Sequence, residues 1–185
     1  MLGPLGFVTA WATLGATAER YDPTRDAISR LAALGAPTRP AMTAGLVCLG
    51  AGMVMYGVAL RPAPVWLLPV ANGLTALAVA ALPLGGAYDS AHGVAAGLGY
   101  VTLAAIPVVA GRRLRPAWAR LSAATGVASG LCLLTTVLVT SDGLFQRLGL
   151  TLAHTWVAVS ALSLLRSPRS SSTTPPVRGS AAPRR

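Results

Sequence analysis

The chain has 185 residues, 54% of them hydrophobic and only 11% charged, with a mean hydropathy of +0.61 and a formal net charge of +10. Soluble domains carry about a quarter charged residues, and so small a soluble fold has no means of hiding this much apolar surface, so the composition specifies an integral membrane protein. The positive charge does not point to nucleic acid: every basic residue other than the two histidines is an arginine, these flank apolar runs, and no zinc-finger or helix-turn-helix pattern occurs.

Six apolar runs follow in chain order, at about 2–18, 41–60, 65–84, 92–110, 117–139 and 144–165. Each approaches the ~20 residues that cross ~30 Å of hydrocarbon as a helix. The expected fold is therefore an all-α membrane bundle of six transmembrane helices. The first run is the shortest and carries Thr13 and Thr17; it lacks a basic n-region, so it reads as a retained helix rather than a leader. It begins almost at Met1, which leaves open a start further upstream. Cys48 and Cys132 lie inside apolar runs and read as small buried hydrophobes. Gly93 and Gly97, and Gly126 and Gly130, have the four-residue spacing of close helix packing, and Pro69, Pro83 and Pro107 are candidate bends. Residues 1–166 form the membrane domain; 167–185, rich in Ser, Pro and Arg, read as a disordered basic tail.

Six spans place both termini on one side of the membrane. Arg61, Arg112, Arg113, Arg115, Arg120, Arg166, Arg169, Arg178, Arg184 and Arg185 then share that side with no acid. Arg20, Arg25, Arg30, Arg39 and Arg147 share the other with all five acidic residues. The positive-inside rule makes the first side cytoplasmic and the second external.

The first external connection, "YDPTRDAISRLAALGAP", is unusually charged for this chain. Asp22 before Pro23 has the form of a helix start, and Gly35 with Pro37 that of a stop. The interval predicts a short amphipathic helix on the outer surface, with Ile28, Leu31 and Leu34 on one stripe and Arg25, Asp26, Ser29 and Arg30 directed elsewhere. Asp26 and Arg30 are spaced to pair across one turn. The next external connection brings Tyr88, Asp89, Ser90 and His92, and the last brings Ser141, Asp142, Gln146 and Arg147. The candidate polar cluster at this outer mouth is Tyr21, Arg25, Asp26, Ser29, Asp89, His92 and Asp142. His154 falls near mid-depth in the sixth run, where a polar group usually faces the bundle interior.

The chemistry available to these residues is limited. His92, Asp89 and Asp26 could supply nitrogen and oxygen ligands to zinc if their separate elements converged. No HExxH motif and no GxSxG elbow occurs. No cofactor is expected on the leading reading, with zinc as the alternative.

Tyr21, Arg25, Asp26, Ile28 and Ser29 follow the pattern Tyr-x-x-x-Arg-Asp-x-Ile-Ser, and Asp89 and His92 stand at the start of the fourth run. In these motifs the chain resembles the bacterial membrane family known as domain of unknown function 998, over most of residues 2–165. The resemblance implies a six-span bundle and marks the same outer mouth; it implies no reaction. Three functions fit. The first is a non-enzymatic module binding a lipid, a small ligand or another membrane protein at that mouth. The second is a metal-dependent membrane hydrolase acting on a lipid or amphiphile. The third is a small transporter, against which the scarcity of ionisable residues in the spans counts. Membrane lipids are the expected partners, with a membrane protein as a further candidate and no nucleic acid.

Overall fold

The computed structural model describes residues 2–112, 114–139 and 143–166. Six α-helices are present among them: α1 (Leu2–Thr17), α2 (Arg39–Ala59), α3 (Leu67–Ala81), α4 (Asp89–Gly111), α5 (Pro116–Leu138) and α6 (Gly143–Arg166). Five stretches are long and apolar enough to cross a membrane: α2, α4, α5, α6 without its last residue, and α3 together with the 3-10 turn Pro64–Trp66 before it. The protein is a multi-pass membrane helical bundle. The 16 residues of α1 give a helix about 24 Å long, shorter than a full hydrocarbon core. The tail, Arg113, and Thr140, Ser141 and Asp142 lie outside the described residues.

Proline sets several helix ends. Pro40 and Pro116 occupy first-turn positions, where a missing N–H costs nothing. Pro83 does not bend α3; it ends it. Leu82, preceding that proline, takes φ −113° and ψ 74°, outside the helical region as proline requires of its neighbour. Pro107 alone sits within a helix interior, in α4.

Helices adjacent in sequence pack against one another, and α6 returns to touch α4 and, more lightly, α1. The tightest seam joins α2 and α3 through Gly50 and Gly73. A Cβ on Gly73 would stand 2.5 Å from the Gly50 carbonyl oxygen, so neither position has room for a side chain. Gly126 serves α4–α5 packing in the same way, against the Ala104 carbonyl. Gly93 and Gly97 meet nothing within 4 Å, so their spacing serves no contact inside the bundle. Cys48 is exposed on the outer face of α2 and Cys132 is half-buried; neither is the buried hydrophobe that its apolar run suggested, because each lies on a side of its helix turned from the core.

The first connection differs from its expected form. No amphipathic α-helix runs from Asp22 to Gly35. A turn at Asp22–Asp26 leads into a five-residue 3-10 helix, Ile28–Ala32. The cause is local competition from side chains. The Asp22 carboxylate accepts from the Thr24 N–H (2.9 Å) and the Thr24 hydroxyl (2.7 Å), capping a turn rather than a helix. The Asp26 carboxylate accepts from the Asp22 N–H (2.8 Å) and pairs with Arg30 (2.6 Å). The helical ladder is thereby replaced by a folded loop. Ile28 and Leu31 still reach inward, each 2% exposed, whereas Leu34 is 46% exposed. Leu34 instead joins the α3–α4 connection, its N–H donating to the Leu84 carbonyl (2.8 Å).

Candidate functional site

The loop is fastened to α6 by two consecutive side chains. Arg147 is 8% exposed. One terminal nitrogen of its guanidinium donates to the carbonyls of Pro23 (2.5 Å), Asp26 (3.0 Å) and Gly143 (2.9 Å); the other donates to the Tyr21 hydroxyl. The charge also lies 5.3 Å from the Trp11 ring and 5.5 Å from the Tyr21 ring, within cation–π range. No carboxylate among the described residues pairs with it. Backbone dipoles and aromatic faces therefore solvate this buried cation. Gly143 permits the approach: a Cβ there would stand 2.6 Å from the Asp26 carbonyl oxygen.

Gln146 completes the clasp. Its Oε1 accepts from the Ile28 N–H (2.6 Å) and its Nε2 donates to the Tyr100 hydroxyl (2.6 Å), linking the loop, α6 and α4. The Ile28 N–H can only donate, so the orientation of the amide is fixed.

Beneath the clasp lies a cavity of about 80 Å³, walled by α1, α2, α3, α4 and α6 and covered by Ile28 and Ser29 of the loop. A water needs roughly 10–15 Å³ measured this way, so several non-hydrogen atoms fit. Most of the lining is apolar, including Phe7, Leu46, Leu49, Leu103 and Leu150. The chain has only one asparagine, one glutamine and two histidines, and all four line this cavity. Gln146 and His92 stand near the loop end. Asn72 and His154 stand deeper, His154 eight residues along α6 from Gln146, or about 12 Å at the helical rise.

These polar groups differ in how they are satisfied. His92 donates from Nδ1 to the Leu82 carbonyl (2.6 Å), since a carbonyl oxygen can only accept. Asn72 donates from Nδ2 to the Gly99 carbonyl (2.8 Å), but its Oδ1 is buried without a partner. His154 is 3% exposed, and neither ring nitrogen has a partner; only the Phe7 ring, 5.7 Å away in an edge-on arrangement, stands against it. A buried polar atom left unpaired costs about 1–3 kcal/mol.

The residues singled out in the sequence are distributed among these environments. Tyr21 belongs to the clasp through its hydroxyl. Arg25 is exposed and lies 3.7 Å from the Asp22 carboxylate. The carboxyl of Asp22 is held below its ordinary value of 3.8, first by the Thr24 hydroxyl, then by the Thr24 N–H. Asp26 turns its carboxylate to Arg30 and its carbonyl to Arg147. Ser29, His92 and His154 line the cavity. Asp89 accepts from the Gly85 (2.8 Å) and Gly86 (3.1 Å) N–H groups, tightening the turn before α4. Asp142 lies outside the described residues. No hydrogen bond or ion pair among the described residues joins Arg25 or the Asp26 carboxylate to Asp89 or His92. Among the described residues no three His, Cys, Asp or Glu side chains are grouped to hold a metal ion, Asp26, Asp89 and His92 included. Asn72 and Tyr100 belong to no motif of the sequence. The signal for Asn72 is its being the only asparagine in the chain, within an otherwise apolar span.

The bundle defines a multi-pass membrane protein with a partly open, mostly apolar cavity among its helices. The chain matches the model of the family described as "Protein of unknown function (DUF998)" over residues 1–163, and it belongs to that family. No curated protein and no solved structure matches it.

Proposed function

We propose that the protein is a non-enzymatic membrane module that binds a small molecule in the cavity beneath the first loop. The observation that carries this reading is the convergence of the only Asn, the only Gln and both His side chains on one cavity, with His154 unpaired at its deep end. A chain this poor in polar side chains does not gather four of them around an apolar hollow for stability, since the unpaired atoms oppose folding. A ligand relieves that cost. The lining contains no carboxylate and no cysteine.

On the same reading α1 is the sixth span, packed along α2 with Gly3 against Gly52 and Ala10 against Gly45. The loop end faces outward and both termini face the cytoplasm, as the arginine distribution favours. Single cysteines at Thr38 and Ser170, in a background lacking Cys48 and Cys132, report the orientation when intact cells meet an impermeant thiol reagent. Labelling at Thr38 alone is expected; labelling at Ser170 alone would reverse the topology.

The binding itself is tested by native mass spectrometry of protein extracted in mild detergent. A bound small molecule is expected on the parent and not on Ala95→Phe, which fills the cavity from α4. Equal spectra for a folded Ala95→Phe and the parent would refute the reading.

A further inference from the structure

We infer that the cavity selects an uncharged alcohol with an apolar body, held by its hydroxyl at the level of Asn72 and His154. This rests on the cavity being a ligand site and adds the chemistry of the ligand.

The unmet donors and acceptors of the lining define the head group. Asn72 offers Oδ1, an acceptor, and its amide cannot be reversed because Nδ2 already donates to the Gly99 carbonyl. His92, nearer the loop, has its Nδ1 committed as donor to the Leu82 carbonyl. His154, neutral, offers one acceptor and one donor, both unpaired. At this deep end two unmet acceptors, Asn72 Oδ1 and one His154 nitrogen, stand with one unmet donor, the other His154 nitrogen. The group that suits them must donate a hydrogen bond and be able to accept one, as a hydroxyl does. An ether, an ester or a ketone has no proton to donate to Asn72.

Charge narrows the class further. No arginine, aspartate or glutamate lines the cavity. A carboxylate or phosphate would meet the Asn72 acceptor with no arginine to offset it. An ammonium would donate well but would lose its hydration with no anion in return, a cost of several kcal/mol in such surroundings. Apart from Ser29, Thr75 and Gln146 the remaining lining is aliphatic and aromatic, which suits an alkyl or alicyclic body. At the α3–α4 seam, Thr75, Ala96 and Gly99 line the cavity and are each partly exposed.

Four eight-carbon compounds with different heads separate these demands: 1-octanol, octane, octanoate and octylamine. Each is presented to the full chain in phosphatidylcholine nanodiscs. Saturable binding is measured by equilibrium dialysis of labelled compound, with protein-free nanodiscs as the blank. Octanol is expected to bind at least tenfold more tightly than the other three. Asn72→Leu and His154→Phe should each weaken octanol about tenfold and leave octane unchanged or improved. Octane, octanoate or octylamine binding as tightly as octanol would overturn the inference while leaving a ligand site in place. An equal preference for octanol in the parent and both variants would overturn it in the same way. Absence of saturable binding by all four, with no small molecule carried through purification, would overturn the ligand site and this inference together. The head-group series on the parent decides the matter even if a variant fails to fold.

Discussion

The loop clasp and the cavity below it are about equally buried, yet they treat polar groups in opposite ways. At the clasp, Arg147 and Gln146 bring hydrogen bonds from every side, and only the Arg147 Nε and the nearby Trp11 indole N–H stay bare. In the cavity, His154 has no partner at all and Asn72 is half satisfied. Burial alone therefore does not tell these polar groups apart; the extent to which their hydrogen bonds are completed does. The clasp, nearly complete, holds the loop down, and the deep end of the cavity leaves three buried polar atoms unpaired.

The comparison breaks most visibly at Arg147. Arg147→Met keeps much of the side-chain length and removes the donors, leaving the carbonyls of Pro23 and Asp26 without this partner. A loss of about 3 kcal/mol is expected in denaturant unfolding in detergent. A loss below about 1 kcal/mol would mean that the clasp does not fasten the loop. Gln146→Leu orphans the Ile28 N–H and should cost about 2 kcal/mol by the same measurement. Its effect should not add to that of Arg147→Met, since both act on one loop.

His154→Phe sharpens the contrast because its sign is opposite. Replacing an unpaired polar ring with an apolar one should raise the stability of delipidated protein by about 1 kcal/mol while reducing ligand retention. Destabilisation of that size instead would reveal a structural partner for His154. The smallest effect is expected at Asp22, on the exposed edge of the loop. Its folded carboxyl is depressed below 3.8, so its contribution is present above that value and is lost as pH falls through the folded value. Unfolding midpoints measured from about pH 6 down to about pH 3 should decline slightly more for the parent than for Asp22→Asn. Identical profiles would show that the Thr24 bonds carry no stability.

The helices were legible because a membrane span is written as length and composition. The runs expected at 117–139 and 144–165 appear as Pro116–Leu138 and Gly143–Arg166. The loop was legible in what it buries, Ile28 and Leu31, but not in its form. Helical spacing and 3-10 spacing both place residues three apart together, and the side-chain bonds of Asp22 and Asp26, with the contacts from Gln146 and Arg147, choose between them. The charged signature drew attention to the carboxylates of Asp26 and Asp89. Their roles in the fold are local, closing turns beside them, while the Asp26 carbonyl makes the long-range bond. Sequence carries no mark for a backbone carbonyl. It does carry one for scarcity, and the only asparagine, the only glutamine and both histidines share the cavity, although the only glutamate, Glu19, does not.

The central claim is that the cavity is a ligand site completed by a molecule from the bilayer. An experimental structure of the protein in native lipid, extracted without delipidation, tests it most directly. The expected result is density for an organic molecule in the cavity, with a hydroxyl within about 3 Å of His154 or Asn72 Oδ1. A cavity holding water alone, with both histidines and Asn72 bonded to it, would contradict the claim.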